Sequence, residues 1–179
     1  MKSSSKMKKN DDASGDSRKW RRFILPACLL AIVAAAWICS RFWLQLMLIQ
    51  GPSMEPAYHS FQPVLLDRSA DTFRKGEVVA FHSRNVRTLV VKRIAACPGD
   101  RVLIRDGVLM VNGVCSPAGP GYRPISDPGV AAEELVLPPD CYFMLGDNTE
   151  HSTDSRSEEI GLVYLNDIAG RILPQKAKK

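Results

Sequence analysis

An uncharged apolar segment from Phe23 to Ser40 is the feature that most restricts what this chain can fold into. As a helix, its eighteen residues would extend about 27 Å at about 1.5 Å per residue. That length is close to the roughly 30 Å hydrocarbon core of a bilayer. A buried helix of a globular core is the alternative, but the run is uniformly apolar and has no polar face. We therefore predict a transmembrane anchor over residues 23–40.

Basic residues are concentrated before this segment. Residues 1–22 carry eight Lys or Arg against three Asp, which predicts a cytoplasmic basic tail by the positive-inside rule. Residues 41–179 would then lie on the extracytoplasmic face, and the lipid bilayer is an expected partner. A cleaved secretory signal is the alternative, because Ala34-Ala35-Ala36 could act as a cleavage site. The apolar run continues beyond it through Trp37-Ile38-Cys39, which favours retention. With no transit-type N-terminus, a bacterial plasma (inner) membrane is favoured over an organelle's.

The rest of the chain gives no sign of nucleic-acid or metal binding. Residues 51–179 hold fifteen basic and sixteen acidic side chains, whereas a nucleic-acid-binding domain would carry a positive excess on its folded surface. The three His are scattered and no Cys-x-x-Cys occurs, so we expect no metal and no cofactor. Cys97, Cys115 and Cys141 lie in a compartment predicted to be oxidising, where at most one intrachain bridge could form among them.

Short apolar runs separated by turn residues dominate the chain after the anchor. Asp106-Gly107 and Asn112-Gly113 are strong two-residue hairpin signals, and they separate the runs 101–105 and 108–111 from a short continuation. An extended segment beside the membrane is predicted at 44–48. Other strands are predicted at 78–81, 88–94, 134–137, 141–145 and 168–173, and residues 116–130 are expected to be loop. With no long helix predicted after the anchor, we expect a mostly β fold, an antiparallel barrel or sandwich over residues 41–179.

A serine and a lysine are the candidate chemical groups. Ser53 follows the anchor in Gly-Pro-Ser-Met-Glu-Pro, where taken alone it could equally be a turn or cap residue. Lys92 lies in the apolar run 90–94, and an apolar setting lowers the pKa of a lysine. The resulting neutral amine could take the proton of a serine hydroxyl. Because neighbouring strand residues face opposite sides, either Lys92 or Arg93 could be the inward residue.

A polar segment from Gly146 to Arg156 directly follows the predicted strand 141–145. Asp154 and Arg156 could form a buried ion pair that shapes this loop, and Ser152 could hydrogen-bond an amine. A solvated surface loop is the alternative that composition alone permits.

Four segments, in this order, resemble sequence boxes of the type I signal peptidases, the membrane-anchored Ser/Lys proteases of the S26 type. Residues 51–56 resemble the nucleophile box Ser-Met-x-Pro, and residues 75–79 resemble a Gly-Asp-x-Val strand box. Residues 92–102 resemble Lys-Arg-x-x-x-x-Pro-Gly-Asp-x-Val, and residues 146–156 resemble Gly-Asp-Asn-x-x-x-Ser-x-Asp-Ser-Arg. The resemblance extends from the anchor to about Gly170, and its specificity lies in the ordered set.

The resemblance implies a role for each matching residue. Ser53 corresponds to the nucleophile, with its backbone N–H as one oxyanion donor, and Lys92 to the general base. Ser152 corresponds to the residue that orients the lysine amine, and Asp154 with Arg156 to a bracing salt bridge. A mostly β catalytic core is implied as well. The implied partners are exported pre-proteins, cut after a small-x-small motif because shallow pockets accept only Ala-sized side chains.

Three other interpretations remain open at this point. The Pro-Ser-Met triplet and the compact domain also suit the conjugative-transfer peptidases that mature pilin subunits. A non-catalytic membrane-tethered relative is a second alternative, because Gly51 and Pro52 leave the second oxyanion donor unassigned. A Ser-His-Asp hydrolase using His59, His82 or His151 is a third, and it is disfavoured because no Gly-x-Ser-x-Gly motif is present.

Overall fold

A computed structural model describes residues 16–84, 88–116, 119–120 and 123–174, without the side chains of residues 16–23 and 39–42. Residues 1–15 of the predicted basic tail therefore lie outside the described residues. The chain divides between Arg41 and Phe42 into two compact units. The first contains a helix, and the second contains all of the described strands.

One long helix, α1, extends from Asp16 to Phe42 and includes the whole predicted anchor segment. The described side chains of this helix, from residue 24 to residue 38, are all exposed. Large apolar side chains such as Leu25, Leu30 and Trp37 are 75, 74 and 66% exposed. Within the part of the chain that the structure describes, no helix is both long and apolar enough to cross a membrane. The transmembrane anchor therefore stays a prediction.

Among the described residues, eleven strands lie in the second unit. They are β1 (Leu44–Leu48), β2 (Pro63–Asp67), β3 (Val78–His82), β4 (Leu89–Ala96), β5 (Arg101–Arg105), β6 (Val108–Val111), β7 (Val114–Cys115), β8 (Leu135–Val136), β9 (Cys141–Leu145), β10 (Val163–Tyr164) and β11 (Ile168–Ile172). Short 3-10 turns occupy Gly129–Ala132, Thr149–His151 and Leu165–Asp167.

The strands form two antiparallel sheets. Seven strands are arranged in the order β1-β2-β11-β3-β4-β9-β10, and four are arranged in the order β7-β6-β5-β8. Every strand pairing is antiparallel. The predicted mostly β, antiparallel fold is therefore confirmed. Strands β2 and β10 were not predicted, because one begins at a proline and the other has only two residues.

Both predicted hairpin turns are present. Asp106 and Gly107 have φ of 50° and 75°, and Asn112 and Gly113 have φ of 54° and 76°. Positive φ at both central residues is the geometry of a type I′ turn, whose twist matches that of the flanking strands. The turns set the register of β5, β6 and β7, with Ile104 opposite Leu109.

Apolar side chains cover both faces of the seven-stranded sheet. On β3, Val78 and Ala80 pack in one buried cluster and Val79 and Phe81 pack in another, as the alternation of a strand requires. Met54, next to the candidate nucleophile, belongs to the first of these clusters. A third cluster contains side chains of β5, β6 and β9: Val102, Ile104, Leu109, Val111, Phe143 and Leu145.

The described cysteines are free thiols. Cys97, Cys115 and Cys141 form no disulfide in the described part of the chain, and Cys141 is buried within β9.

Candidate active site

The loop that carries Ser53 is held by its own turn and by the core beneath it. Gly51 has a φ of +80°, a conformation open to glycine at no steric cost, and the N–H of Glu55 donates to Pro52 O at 3.1 Å. Met54 is fully buried, and this fixes the loop to the sheet. Ser53 itself is half-buried, so part of the residue packs against the protein and part remains exposed to solvent.

Ser53 and Lys92 are thirty-nine residues apart in sequence and are in direct contact. Lys92 Nζ lies 2.7 Å from Ser53 Oγ, and the amine donates to the hydroxyl oxygen. Lys92 is the fourth residue of β4, between β3 and β9 in the large sheet, and only 4% of it is exposed. Sheet pairing on both sides of β4 therefore fixes the backbone from which the amine projects.

The environment of Lys92 favours the neutral amine. Its pKa is lowered from 10.5 to about 8, mainly because burial penalises the charged form. The Arg156 guanidinium lowers the pKa further, whereas the Asp154 and Asp147 carboxylates raise it. A substantial neutral fraction therefore exists near pH 8, and a neutral amine can accept a proton from a hydroxyl.

Asp154 and Arg156 form a buried ion pair. Arg156 Nε donates to Asp154 Oδ1 at 2.8 Å, and Nη2 donates to Oδ2 at 3.0 Å. The two side chains are 0 and 8% exposed. Arg156 also donates to the carbonyl oxygens of Asp127, Thr149 and Ser152, which leaves the guanidinium well satisfied. The pair therefore closes the loop 146–156 into one rigid piece, as bidentate arginine contacts do.

Ser152 is placed on this ion pair. Its hydroxyl donates to Asp154 Oδ2 at 2.7 Å, and the N–H of Gly146 donates to the same oxygen at 3.1 Å. A side chain at Gly146 would meet Ser152 Oγ, at 2.3 Å from an added Cβ, and Ser53 O, at 2.6 Å. Gly146 is thus the point where the polar loop approaches the backbone of Ser53.

A second ion pair in the site was not predicted. Arg93 donates to both oxygens of Asp147, at 2.7 and 2.6 Å, and to the carbonyl of Gly76 at 2.7 Å. Burial raises the pKa of Asp147, against the lowering effect of the arginine. The next residue, Asn148, donates its backbone N–H to Ser53 O at 3.0 Å. The sequence signals were Arg93 beside Lys92 and Asp147 in Gly-Asp-Asn, but their pairing depends on the fold.

A cavity of about 790 Å³ opens on the Ser53–Lys92 contact. Its walls come from the end of β1, from the nucleophile loop and from the start of β4. The lining residues are Leu46, Met47, Leu48, Ile49, Gln50, Ser53, Met54, Thr88, Leu89, Val90, Val91 and Lys92. Most of these side chains are apolar, so Ser53 and Lys92, with Gln50 and Thr88, are the polar groups that line an apolar groove.

Comparisons with known proteins identify the family to which this chain belongs. A family model described as signal peptidase, peptidase S26, matches residues 17–174. The chain belongs to this family. It is 27% identical over 170 residues to signal peptidase I of Bacillus amyloliquefaciens, which covers 84% of this chain and 83% of the relative. Signal peptidase I of Bacillus caldolyticus is 28% identical over 169 residues, or 87% of each chain. A signal peptidase I crystal structure from Enterococcus faecalis has a TM-score of 0.47 at 27% identity and covers 57% of this chain and 97% of that chain.

The family predicted from the four sequence segments is therefore confirmed, and the chain has a signal peptidase I-like function. In this S26 peptidase, the three histidines have other surroundings. His59 Nδ1 lies 3.7 Å from Glu55 Oε1, and His151 Nδ1 lies 3.4 Å from Asn148 Oδ1. His82 is exposed. Among the described hydrogen bonds, none joins a histidine to Ser53.

Proposed function

We propose that this protein is a serine endopeptidase in which Ser53 is the nucleophile and Lys92 is the general base. One observation carries the proposal: the 2.7 Å contact between Lys92 Nζ and Ser53 Oγ, in a setting that lowers the lysine pKa to about 8. A nucleophile and base within hydrogen-bonding distance are the arrangement required for activation of a serine.

The reaction follows from the positions of the two groups. The neutral Lys92 amine accepts the Ser53 proton as Oγ attacks the scissile carbonyl carbon. The N–H of Ser53 donates to the developing oxyanion, which stabilises its charge. The C–N bond then breaks, and Lys92 returns the proton to the leaving amine. Water, with Lys92 again as base, hydrolyses the acyl-enzyme and restores both groups.

Three residues support this pair without taking part in bond changes. Asp154 and Arg156 hold the loop 146–156 in one conformation, and their charges shift the lysine pKa in opposite directions. Ser152 is fixed to Asp154 and, in this proposal, keeps the amine oriented towards Ser53. These are positioning residues.

We further propose that the substrates are pre-proteins that carry a signal peptide, cut after a small-x-small motif. An extended apolar segment fits the groove, whose walls are mostly Leu, Val, Ile and Met side chains. The relatives that match most of this chain carry the name signal peptidase I.

The segment 23–40 is proposed to anchor the protein in the plasma membrane, with the N-terminus in the cytoplasm and residues 41–179 on the extracytoplasmic face. Its support is the basic excess before the segment and the exposed apolar side chains of α1. A single-pass anchor would bring the peptidase to the membrane in which signal peptides are embedded.

Cleavage of a pre-protein with an Ala-x-Ala signal tests the proposed chemistry. The full chain in detergent is compared as wild type, Ser53→Ala, Lys92→Ala and Lys75→Ala, where Lys75 is an exposed lysine that serves as the matched control. We expect wild type and Lys75→Ala to cut after the second Ala. Ser53→Ala and Lys92→Ala should lose at least about a thousandfold in kcat/KM, a loss similar to that caused by removing a catalytic residue from a Ser-His-Asp protease. Cutting by folded Lys92→Ala at the wild-type rate would refute the dyad and turn attention to the histidines.

A further inference from the structure

A second cavity, of about 230 Å³, adjoins the nucleophile loop. It is lined by Glu55, Pro56, His59, Arg123, Asp147 and Asn148, none of which lines the apolar groove. The loop after Gly51 thus contributes to both spaces. Ser53 and Met54 face the groove, and the residues that follow, Glu55 and Pro56, face the second cavity.

The wall of the second cavity is bonded to the nucleophile's own backbone. Asn148 donates its N–H to Ser53 O at 3.0 Å and its side-chain amide to Pro52 O at 3.3 Å. A substrate bound across Ser53 must enter from one space and continue beyond it. Extended peptide advances about 3.3 Å per residue. Because Asn148 lines this cavity and is hydrogen-bonded to Ser53 O, the cavity lies beside the nucleophile's backbone, within reach of the first few residues past the scissile bond.

Asp147 and Arg123 in this cavity each have an ion-pair partner of opposite charge, whereas Glu55 has only a histidine among the described residues. Both oxygens of Asp147 accept from Arg93, and Arg123 lies 3.7 Å from Glu150. Glu55 has a side chain that is 41% exposed, and its described ion-pair partner, 3.7 Å away, is His59, which is charged only when protonated. The cavity therefore presents one carboxylate that no described Lys or Arg neutralises.

We propose that this cavity binds the first residues of the substrate on the leaving side of the scissile bond, and that Glu55 selects against acidic side chains there. The assignment rests on the proposed endopeptidase function. The ligand class is an extended peptide segment with a basic or neutral side chain within the first three residues after the cut. Glu55 attracts a basic side chain and repels an acidic one.

Paired peptides that differ at one leaving-side position provide the test. They share an Ala-x-Ala cleavage motif, and the second residue after the cut is Lys, Asp or Ser. The measured quantity is the ratio of kcat/KM for the Lys peptide to that for the Asp peptide. We expect about twofold to fivefold in wild type, the range of an exposed ion pair. The ratio should fall towards one in Glu55→Gln, invert in Glu55→Lys, and shrink in high salt.

The matched control is Glu134→Gln, which removes an exposed glutamate paired with Arg101 and outside both cavities. It should keep the wild-type ratio. Cleavage of the Ser peptide by wild type reports the endopeptidase function on its own. If the Ser peptide is cut and the Lys-to-Asp ratio is the same in wild type and Glu55→Lys, the assignment of the cavity is overturned while the function stands.

Binding separates the two proposals completely. Affinities of the Lys and Asp peptides for full-length Ser53→Ala protein in detergent are measured by fluorescence anisotropy, which needs no catalysis. A preference for the Lys peptide that Glu55→Lys inverts supports the cavity assignment even if no cleavage is found. Equal affinities of Ser53→Ala and of Ser53→Ala with Glu55→Lys for both peptides would overturn it.

Discussion

Lys92 combines two requirements that oppose each other. A general base must be neutral, and burial achieves this by making the ammonium form unfavourable. The same burial leaves a cationic side chain in the core at neutral pH, which costs folding free energy. The pKa of about 8 reflects both the gain in neutral amine and the cost in folding free energy, because both depend on how strongly the folded protein disfavours the charged amine.

The pH dependence of cleavage should follow this titration. Below pH 8 the amine is mostly protonated and cannot accept the Ser53 proton, so kcat/KM should fall about tenfold for each pH unit. Above pH 8 it should level off. The measurement is kcat/KM from pH 5.5 to pH 10 on a peptide without ionisable side chains. A profile that stays flat down to pH 6 would contradict Lys92 as the base.

Replacement of Lys92 by methionine should abolish cleavage and stabilise the fold. The folded pKa, about 8, lies below the unfolded value of 10.5, so the unfolded chain binds more protons between these values. Wild-type stability should therefore rise from pH 8 to pH 10.5, and the full penalty should apply below pH 8. At pH 7, Lys92→Met should raise the free energy of unfolding by about 3 kcal/mol, because one pKa unit corresponds to about 1.4 kcal/mol. Denaturant unfolding measures this, with exposed Lys75→Met as the control, expected within about 0.5 kcal/mol of wild type. A stability loss in Lys92→Met would mean that the amine is a net stabiliser.

At the residue scale, the sequence identified candidate residues but could not place their side chains. Ser53 and Lys92 were recognisable because four segments matched a family in order. Strand alternation alone left open whether Lys92 or Arg93 faced inward, since it fixes only that neighbours diverge. The fold uses both, because Arg93 binds Asp147 while Lys92 contacts Ser53. That outcome depends on the pairing of β9 with β4, which brings the loop after β9 next to Arg93 and which no local pattern encodes.

At the element scale, the loop 146–156 matters through its fit against β9 and the nucleophile loop. Ser155 donates its N–H to Met144 O and accepts from Met144 N, both at 3.0 Å, so the loop folds back onto the strand it follows. Gly146 lies between Ser152 and Ser53 O. The loop thus restricts the position of the Ser53 backbone, because the two backbones pack closely at Gly146.

Gly146→Ala should therefore damage the site through one methyl group. The backbone at Gly146 is not in the left-handed region, so the effect should come from the contact with Ser152 and Ser53 O. Displacement of either by about 1 Å would lower kcat by roughly a hundredfold. The measurement is peptide cleavage together with circular dichroism, to separate misplacement from unfolding. Gly161→Ala is the comparison for a glycine outside the site: its φ of +61° disfavours alanine through the backbone, but only Glu158 O, at 3.9 Å, lies near an added Cβ, so it should lower stability and leave kcat near wild type. Full activity of Gly146→Ala would mean that the loop can yield without cost.

Elements whose own residues favour one backbone conformation were predicted from the sequence. Strands that depend on pairing with other strands were not. The type I′ turns at Asp106-Gly107 and Asn112-Gly113 follow from residues that tolerate positive φ. Strand β2 begins at Pro63 and pairs with β1 and β11, so its extended form depends on neighbours far along the chain. The two-residue strand β10 exists only through its pairing with β9.

At the scale of the whole molecule, the excess of basic residues and the long exposed apolar segment both lie in the first unit. The basic excess lies in residues 1–22, whereas residues 51–179 are nearly neutral. The helix α1 exposes large apolar side chains along its described length, which a water-soluble surface helix would bury on at least one face. The proposed membrane anchor would give these side chains an apolar environment, and this proposal can be tested separately from catalysis.

A charge placed in the middle of α1 should detach the protein from membranes without affecting the catalytic chemistry. Leu30, 74% exposed, lies near the centre of the apolar run. Arginine at a helix centre costs about 2.5–3.5 kcal/mol on insertion scales, whereas leucine is favourable. Leu30→Arg should therefore shift the full chain from the carbonate-resistant membrane fraction towards the soluble fraction. It should also slow cleavage of a membrane-embedded pre-protein, while cleavage of a short soluble peptide stays within about twofold of wild type. Leu30→Phe, which keeps the apolar surface, should fractionate like wild type. If Leu30→Arg remains in the membrane fraction while equally folded, residues 23–40 are not what holds the protein there.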